Sequence, residues 1–565
     1  MKHLAPISGI ACLKGRYVAT AGYDDQLILW DGLSRVAIQR AFHDHLANQC
    51  AFSPDGRFLA SASSDYTARL YDVPTMRLRT VFDGHEDDIE MIAFSGDGSK
   101  VATCSRDGTL RVFALDGTCL AVMRGHEADV ISVGFAPGDA EIISSSDDAT
   151  VRRWSVETGK EISKVVFDDV ETDALAITPD GLVIAGNDEG QILTIDGDDV
   201  QTVQAHDAGI KRLVYDAGGK RLVSLSYDRK MCLWTLQGSE LVLSTTAALP
   251  DVVWPRSCAF FDDTTIVFAT FGSTFAIYDI PGDRWDVNGI EPSISINAVL
   301  PARGSVWTIG DAGILKRDGI VAGETGSLCN FLVELDGRIV SGGQMGRVFD
   351  AESGAVLHQH RSPLNCAAAF VKDGMPHVAV GAYTGEVVVL RSEGGEIRHV
   401  ASLPVHRNAI KGIASDGERL FTVAADCSAA LTRISDFETE VIWEDGHDKI
   451  ANGCAALGPG AFVSISRDLC LRIWSRDGAI GHRSPHVNSI KCVATDGRYI
   501  ATGSYGGAVA VFDLDSGRWV LNRRLTGAGL SCLVATDRPG AFLASAYDGA
   551  VYSVDVPAAD AARAA

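Results

Sequence analysis

No stretch of eighteen apolar residues occurs in this chain of 565 residues, so no segment reads as a membrane-spanning helix. The N-terminal residues, Met1 to Pro6, run into a polar, glycine-containing segment and lack the apolar core of a secretory signal. Lysine and arginine never gather into a run. Fifty of them stand against 73 acidic residues, giving a formal net charge of −23. A surface that acidic repels phosphate backbones at long range, which argues against nucleic acid as a partner. There is no Cys-x-x-Cys pair, no phosphate-cradling glycine loop and no dinucleotide fingerprint, so no cofactor is expected. Proline is scarce, at 17 residues against 58 glycines, a balance that favours many tight turns.

Apolar residues make up 46% of the chain and charged residues 22%, which allows a large core and excludes disorder as the main state. The thirteen cysteines are odd in number and scattered. Cys50, Cys258, Cys366, Cys454, Cys492 and Cys532 stand in similar apolar contexts, as small buried hydrophobes do. A reducing cytoplasm is the expected compartment.

The strongest signal is internal repetition. Phe52-Ser-Pro-Asp-Gly-Arg-Phe-Leu-Ala-Ser61 returns as Phe94-Ser-Gly-Asp-Gly-Ser-Lys-Val-Ala-Thr103, and again from Ala494 to Thr502. Each copy is an apolar strand, an Asp-Gly turn and a second apolar strand, the pattern of a hairpin. A third alternating strand follows, as at Thr150–Ser155. Fourteen such units begin near Ile7, Ala47, Ile89, Val130, Thr172, Ile210, Arg256, Ile294, Ser327, Leu364, Ile410, Ala451, Ile490 and Leu530. At about forty residues each they have the length of a four-stranded propeller blade. Rings hold about four to eight blades. The expected fold is therefore all-β: two seven-bladed β-propellers in tandem, over 1–287 and 288–557, with a disordered tail over 558–565.

Gly84-His85, Gly125-His126 and Gly446-His447 share a place that His43 and His206 hold without the glycine. Twenty-two residues after His43, His85, His126 and His206 come Asp65, Asp107, Asp148 and Asp228, and Asp468 lies 21 after His447. Six residues beyond each aspartate stands a large ring: Tyr71, Phe113, Trp154, Trp234 and Trp474; Asp24 and Trp30 repeat that interval. In these residues the chain resembles the WD-repeat family. The pattern is full in units 1–4, 6 and 12, degenerate in 5, 7–11 and 13, and partly kept in 14 through Asp548. Unit 8 is the weakest. The resemblance implies rings closed by mixing strands from both chain ends, yet little chain remains after the last strand to supply its outer neighbour.

His126, Ser146 and Asp148 suggest a hydrolase triad. The trio recurs as His43/Ser63/Asp65, His85/Ser105/Asp107, His206/Ser226/Asp228 and His447/Ser466/Asp468. Catalysis needs one such set, so five favour structure. The resemblance implies a buried His–Ser–Asp–Trp network that satisfies polar groups inside a blade. His358-Gln359-His360 could pair two rings on a strand face, but no third ligand is near, and a solvated strand end is expected. Asp188-Glu189 and Asp196 to Asp199 lack calcium-loop spacing and read as turns. No metal is expected.

One column reads as functional. It is the residue before each turn aspartate, which the resemblance places at the channel's top face: Tyr23, Ser64, Arg106, Asp147, Tyr227, Tyr383, Arg467, Tyr505 and Tyr547. Ordinary exposed turns favour Ser, Asn, Asp and Gly. Five tyrosines and two arginines are instead the types that dominate binding hot spots. A packing role over glycine-rich turns is the competing reading. The expected function is a non-enzymatic protein-interaction scaffold or adaptor in a cytoplasmic complex. It would act as a monomer or hetero-complex subunit, with a partner carrying basic contact residues. The alternatives are an enzyme at one channel mouth and a sensor or regulatory subunit of a bacterial multiprotein system. The Ala/Gly/Arg/Asp-rich wording and alanine-rich tail motivate the bacterial source.

Overall fold

The computed structural model describes residues 1–167, 170–197 and 199–556; the expected tail lies outside them. Among the described residues there is no helix, hence none long and apolar enough to cross a membrane. Strands form thirteen four-stranded sheets and one of three strands, every sheet being consecutive in the chain. The hairpin turns fold as their sequence dictates. In Ser53-Pro-Asp-Gly56, Asp55 Oδ1 accepts from Ser53 Oγ at 2.7 Å and from Arg57 N at 3.0 Å. Gly56 takes φ +71°, a left-handed conformation that suits glycine.

The chain divides into two compact units, Met1–Ser293 and Ile294 onward. In the first, the innermost strands Ile7–Leu13, Ala47–Phe52, Ile89–Phe94, Val130–Phe135, Thr172–Ile177, Ile210–Asp216 and Val253–Phe260 pack each on the next. The seventh packs back on the first. In the second, the seven innermost strands starting at Ile296, Cys329, Leu364, Ile410, Ala451, Ile490 and Leu530 close likewise. Each unit is a seven-bladed propeller. Three starts differ from the sequence reading: Val253, Ile296 and Cys329 replace Arg256, Ile294 and Ser327. In blade 7 the register jumps between Val253 and Cys258, and that irregularity around Pro255 hid the first residues of the strand.

The division falls a few residues beyond 287 because the segment after blade 7 stays with the first ring. Gly272 bridges Pro292, Ser273 N donates to Glu291 O at 2.9 Å, and Ser293 Oγ donates to Leu4 O at 2.9 Å. Strand exchange, which the resemblance implied, is absent among the described sheets. The first ring closes through side chains instead. Ile10, Val18, Ile28 and Trp30 of blade 1 interleave with Phe261, Val267 and Phe275 of blade 7. Each large apolar side chain buried there contributes about 1.5–3 kcal/mol. Blade 14 is the three-stranded sheet, its third strand being Val551–Asp555.

Candidate functional site

Blade construction fixes where the tyrosine and arginine column lies. The amides of Tyr23, Arg106, Tyr227, Tyr383, Arg467, Tyr505 and Tyr547 donate at 2.9–3.1 Å to the carbonyls of Pro6, Asp88, Gly209, Pro363, Ile450, Ser489 and Gly529. Each acceptor immediately precedes an innermost strand. Ser64 and Asp147 bond in the same way to Leu46 and Asp129. The column therefore sits where the innermost strands begin, at one end of each ring. The same bond adds Asp188, Phe271, Gln344 and Ala425, which sequence alignment could not place.

Unlike ordinary exposed turn residues, Ser64 is buried and the others are half-buried. Their rings and charges pack against neighbours within the mouth. Tyr23 meets Trp254 edge-on at 5.3 Å. Lys211 lies 5.1 Å from the Tyr227 ring centre, and Lys411 lies 4.7 Å from that of Tyr383. Tyr505 stacks on Tyr547 at 6.4 Å with planes 20° apart, and Lys491 is 5.8 Å from the Tyr505 ring. A Cβ on Gly529 would sit 3.0 Å from the Tyr547 ring, so that ring does cover a glycine.

The two mouths differ in charge. In the first, Arg106 bonds Glu90 and Asp129, both at 2.5 Å, and Arg256 bonds Glu90 at 3.0 Å. Lys211 bridges Asp173 and Asp188. Carboxylate oxygens of Asp147, Glu171 and Asp173 lie within 4.8 Å of one another. Burial, reinforced by neighbouring carboxylates, pushes Asp147 up and raises Glu171 to about 8. Asp173 is also buried, but Lys211 beside it holds it below the ordinary carboxylate range. In the second ring Lys411 and Lys491 are each the second residue of an innermost strand, and Lys449 precedes Ile450, whose carbonyl accepts the Arg467 amide. Asp311 follows the second strand of blade 8.

The histidine sets are interior frameworks. His126 Nδ1 lies 2.8 Å from Asp148 Oδ2, and its Nε2 lies 2.7 Å from Ser144 Oγ. Trp154 Nε1 donates to that same hydroxyl at 2.9 Å. His206/Asp228/Ser224/Trp234 and His447/Asp468/Ser464/Trp474 repeat the geometry. His43 and His85 use Ser61 and Thr103. The serine assignment is thereby corrected. Ser146, like Ser63, Ser105, Ser226 and Ser466, does not bond the histidine ring. Its hydroxyl accepts the Asp148 amide at 3.1 Å and fixes the turn. Both serines lie on one face of the strand, two residues apart, so position along the strand separates them: Ser144 lies level with the His126 ring, whereas Ser146 ends the strand at the turn. Asp148 also accepts from Thr150 N and Glu127 N, both at 3.1 Å, tying the turn to the loop before the innermost strand.

The repeat region of the WD domain, G-beta repeat family matches residues 38–72, 76–113, 117–155, 197–235 and 478–513. The target of rapamycin complex subunit wat1 of Schizosaccharomyces pombe is 30% identical over 241 residues, which is 40% of this chain and 76% of that protein. The chain belongs to the WD-repeat family. Target of rapamycin complex subunit LST8 of Saccharomyces cerevisiae is 31% identical over 99 residues, 17% of this chain and 32% of that protein. Guanine nucleotide-binding protein subunit beta-1 of Nicotiana tabacum is 34% identical over 105 residues, 17% of this chain and 28% of that protein.

Each WD match opens on the outer strand of one blade and runs through three strands of the next, so the sequence repeat straddles two blades. The match over 478–513 includes blade 13, which the His–Asp spacing had marked as degenerate. There His486 Nε2 keeps its bond to Thr502 at 2.9 Å, while Gly506 follows where other blades have aspartate. Two further WD histidines escaped the sequence reading. His3 bonds Asp24 at 2.9 Å and Thr20 at 2.7 Å, and His406 bonds Ser428 at 2.6 Å and Thr422 at 2.7 Å. His3 stands 21 residues before Asp24, the spacing of His447 to Asp468, and that interval was the available signal. In blade 14, Thr526 takes the histidine's place and donates to Asp548 at 2.5 Å.

His358 is not a solvated strand end. It is half-buried and stacks on His399 at 5.3 Å, while His360 Nε2 lies 3.2 Å from Glu386. Asp196 and Asp199 pair across Gly197 as a turn; Asp198 lies outside the described residues.

Proposed function

We propose that this protein is a non-enzymatic interaction scaffold or adaptor of a cytoplasmic complex, docking protein partners at the ring mouths. The observation that carries the reading is the second mouth, where Tyr383, Tyr505 and Tyr547 sit with Lys411, Lys491 and Arg467 at one end of a rigid ring. Aromatic rings give contact area at low entropy cost, and guanidinium adds forked donors. Relatives named as subunits of larger complexes support the adaptor role. Those relatives come from eukaryotes, so they lend nothing to a bacterial setting. The His, Ser and Asp sets are closed by tryptophan donors inside blades, which supports the non-enzymatic reading. All thirteen cysteines are free thiols, in keeping with a reducing compartment.

The expectation of a basic partner came from the whole-chain charge, and local chemistry refines it. The carboxylate cluster of the first mouth, where burial and mutual repulsion push Asp147 and Glu171 up, suits a partner lysine or arginine that would restore their charge. The cations of the second suit partner carboxylates. Affinity capture with the full chain and with a Tyr505→Ala/Tyr547→Ala variant tests the scaffold. A stoichiometric partner held by the former and lost by the latter supports it. Turnover of a metabolite, with no such partner, overturns it.

A further inference from the structure

The channel of the first ring holds a cation that the mouth network does not neutralise. Arg212 is the third residue of the innermost strand Ile210–Asp216 in blade 6. Its Nη1 lies 3.7 Å from Met91 Sδ, on the innermost strand of blade 3. Blades 6 and 3 are not neighbours, so the side chain crosses the interior of the ring. Arg212 Nε is shielded from solvent and has no hydrogen-bond partner. Among the described residues no carboxylate forms an ion pair with Arg212. The carboxylate one layer up, Glu90, is engaged by Arg106 and Arg256.

The surrounding wall supplies no anion. Cys50 and Cys258, from blades 2 and 7, feel the charge of the guanidinium, yet burial pushes both thiols up to about 12, so they remain neutral. Gln49 and Ser257 are taken up with each other at 3.4 Å. Burial pulls Arg212 below the ordinary arginine value, with Arg256 adding to the same effect. Arginine nevertheless stays protonated at neutral pH. A thioether is a weak acceptor, so the half-buried guanidinium is left with a weak partner at Nη1 and an unmet donor at Nε.

We infer that the channel of the first ring binds a small anion, of the oxyanion or carboxylate class, on Arg212. The guanidinium fork matches two oxygens of such a group, and the neutral thiol and thioether wall leaves the charge to the ligand. The carboxylates at the mouth above select for a compact ion over an acidic chain, because a longer polyanion would lie against them.

Isothermal titration calorimetry with inorganic phosphate tests this on the full chain near pH 7, at low ionic strength held constant between titrations. The expected result is saturable one-site binding that weakens at least tenfold in Arg212→Gln, with a phosphate-dependent rise in melting temperature only in the unsubstituted protein. Crystals of the unsubstituted protein soaked in bromide give a reading that does not depend on the variant folding. An anomalous peak beside the guanidinium supports the site. Absence of both the phosphate heat and the bromide peak overturns the inference, as does phosphate binding undiminished in a folded Arg212→Gln protein.

Discussion

Trp154 Nε1 donates to Ser144 Oγ at 2.9 Å, and Ser144 is the residue whose hydroxyl also faces His126 Nε2 at 2.7 Å. A neutral ring with its proton on Nδ1 satisfies the whole set. Nδ1–H donates to Asp148, the serine hydroxyl donates to Nε2, and the serine oxygen accepts from tryptophan. Removing the shared hydroxyl strands two buried groups at once. Ser144→Ala is expected to destabilise by about 1–3 kcal/mol, and Ser146→Ala by about 1 kcal/mol or less. Denaturant midpoints of the two variants check the order. Asp148→Ala and Asp468→Ala belong with Ser144→Ala, since each strands a buried histidine. If Ser146→Ala proved the more damaging serine change, the assignment of Ser144 to the network would be wrong.

Acid stability depends on a different histidine. Burial, with no aspartate beside it, holds His486 down at about 4. In the unfolded chain the ring takes a proton near 6.5. The stabilisation is therefore complete above about pH 6.5 and lost as pH falls toward 4, with an upper bound of about 3 kcal/mol. His206 has the opposite sign. Burial opposes its charge, yet Asp228, with both oxygens within 3.2 Å of Nδ1, raises it to about 9. Its contribution is present below about pH 6.5 and is lost as pH rises through 9. Melting curves from pH 4 to 9.5 are expected to flatten on the acid side in His486→Gln and on the alkaline side in His206→Gln.

The blade architecture was legible because each hairpin carries its own instruction. The Asp-Gly turns and alternating strands need no distant partner, so the starts at Ile7, Ala47 and Ile89 were correct. What sequence could not show was which hydroxyl faces a ring. Ser144 and Ser146 share a strand, one at a facing position and one at its end, and only the register with Trp154 separates them. His406 and His486 were hidden because Ser428 and Ala508 stand at the 22-residue interval that reaches aspartate in other blades, whereas His3 carries the same 21-residue interval as His447 and was legible. The tyrosine column was found, but its packing was not. Lys411 over Tyr383 and Tyr547 over Gly529 join residues from neighbouring blades or from opposite sides of a turn. Arg212 lay unnoticed because its reach to Met91 crosses the ring.

Duplex DNA is expected to bind weakly at physiological salt. The net charge of −23 repels phosphates, and the cations of the second mouth are set among tyrosines in place of a basic stripe. A gel shift at about 150 mM salt with a random duplex is the check, and sub-micromolar affinity there would refute the expectation.

The last expectation concerns the tyrosines themselves. Tyr505 and Tyr547 stack at 6.4 Å, Lys491 lies over the first, and the second covers Gly529. Half-buried stacked rings serve the fold and a partner together, so the two roles must be separated by measurement. Truncating both to alanine is expected to weaken partner binding at least tenfold, about 1.4 kcal/mol, while costing about 1–2 kcal/mol of stability. Lys411→Glu/Lys491→Glu supplies the discriminating control. It leaves the ring stack in place and reverses the local charge. Binding of an acidic partner should then fall further at low salt than at high salt, because screening weakens the attraction that was removed. The two variants, titrated against the captured partner and melted in parallel, give four numbers. A charge-reversed protein that binds normally, beside a tyrosine variant that only melts early, would make this mouth a packed rim with no docking role.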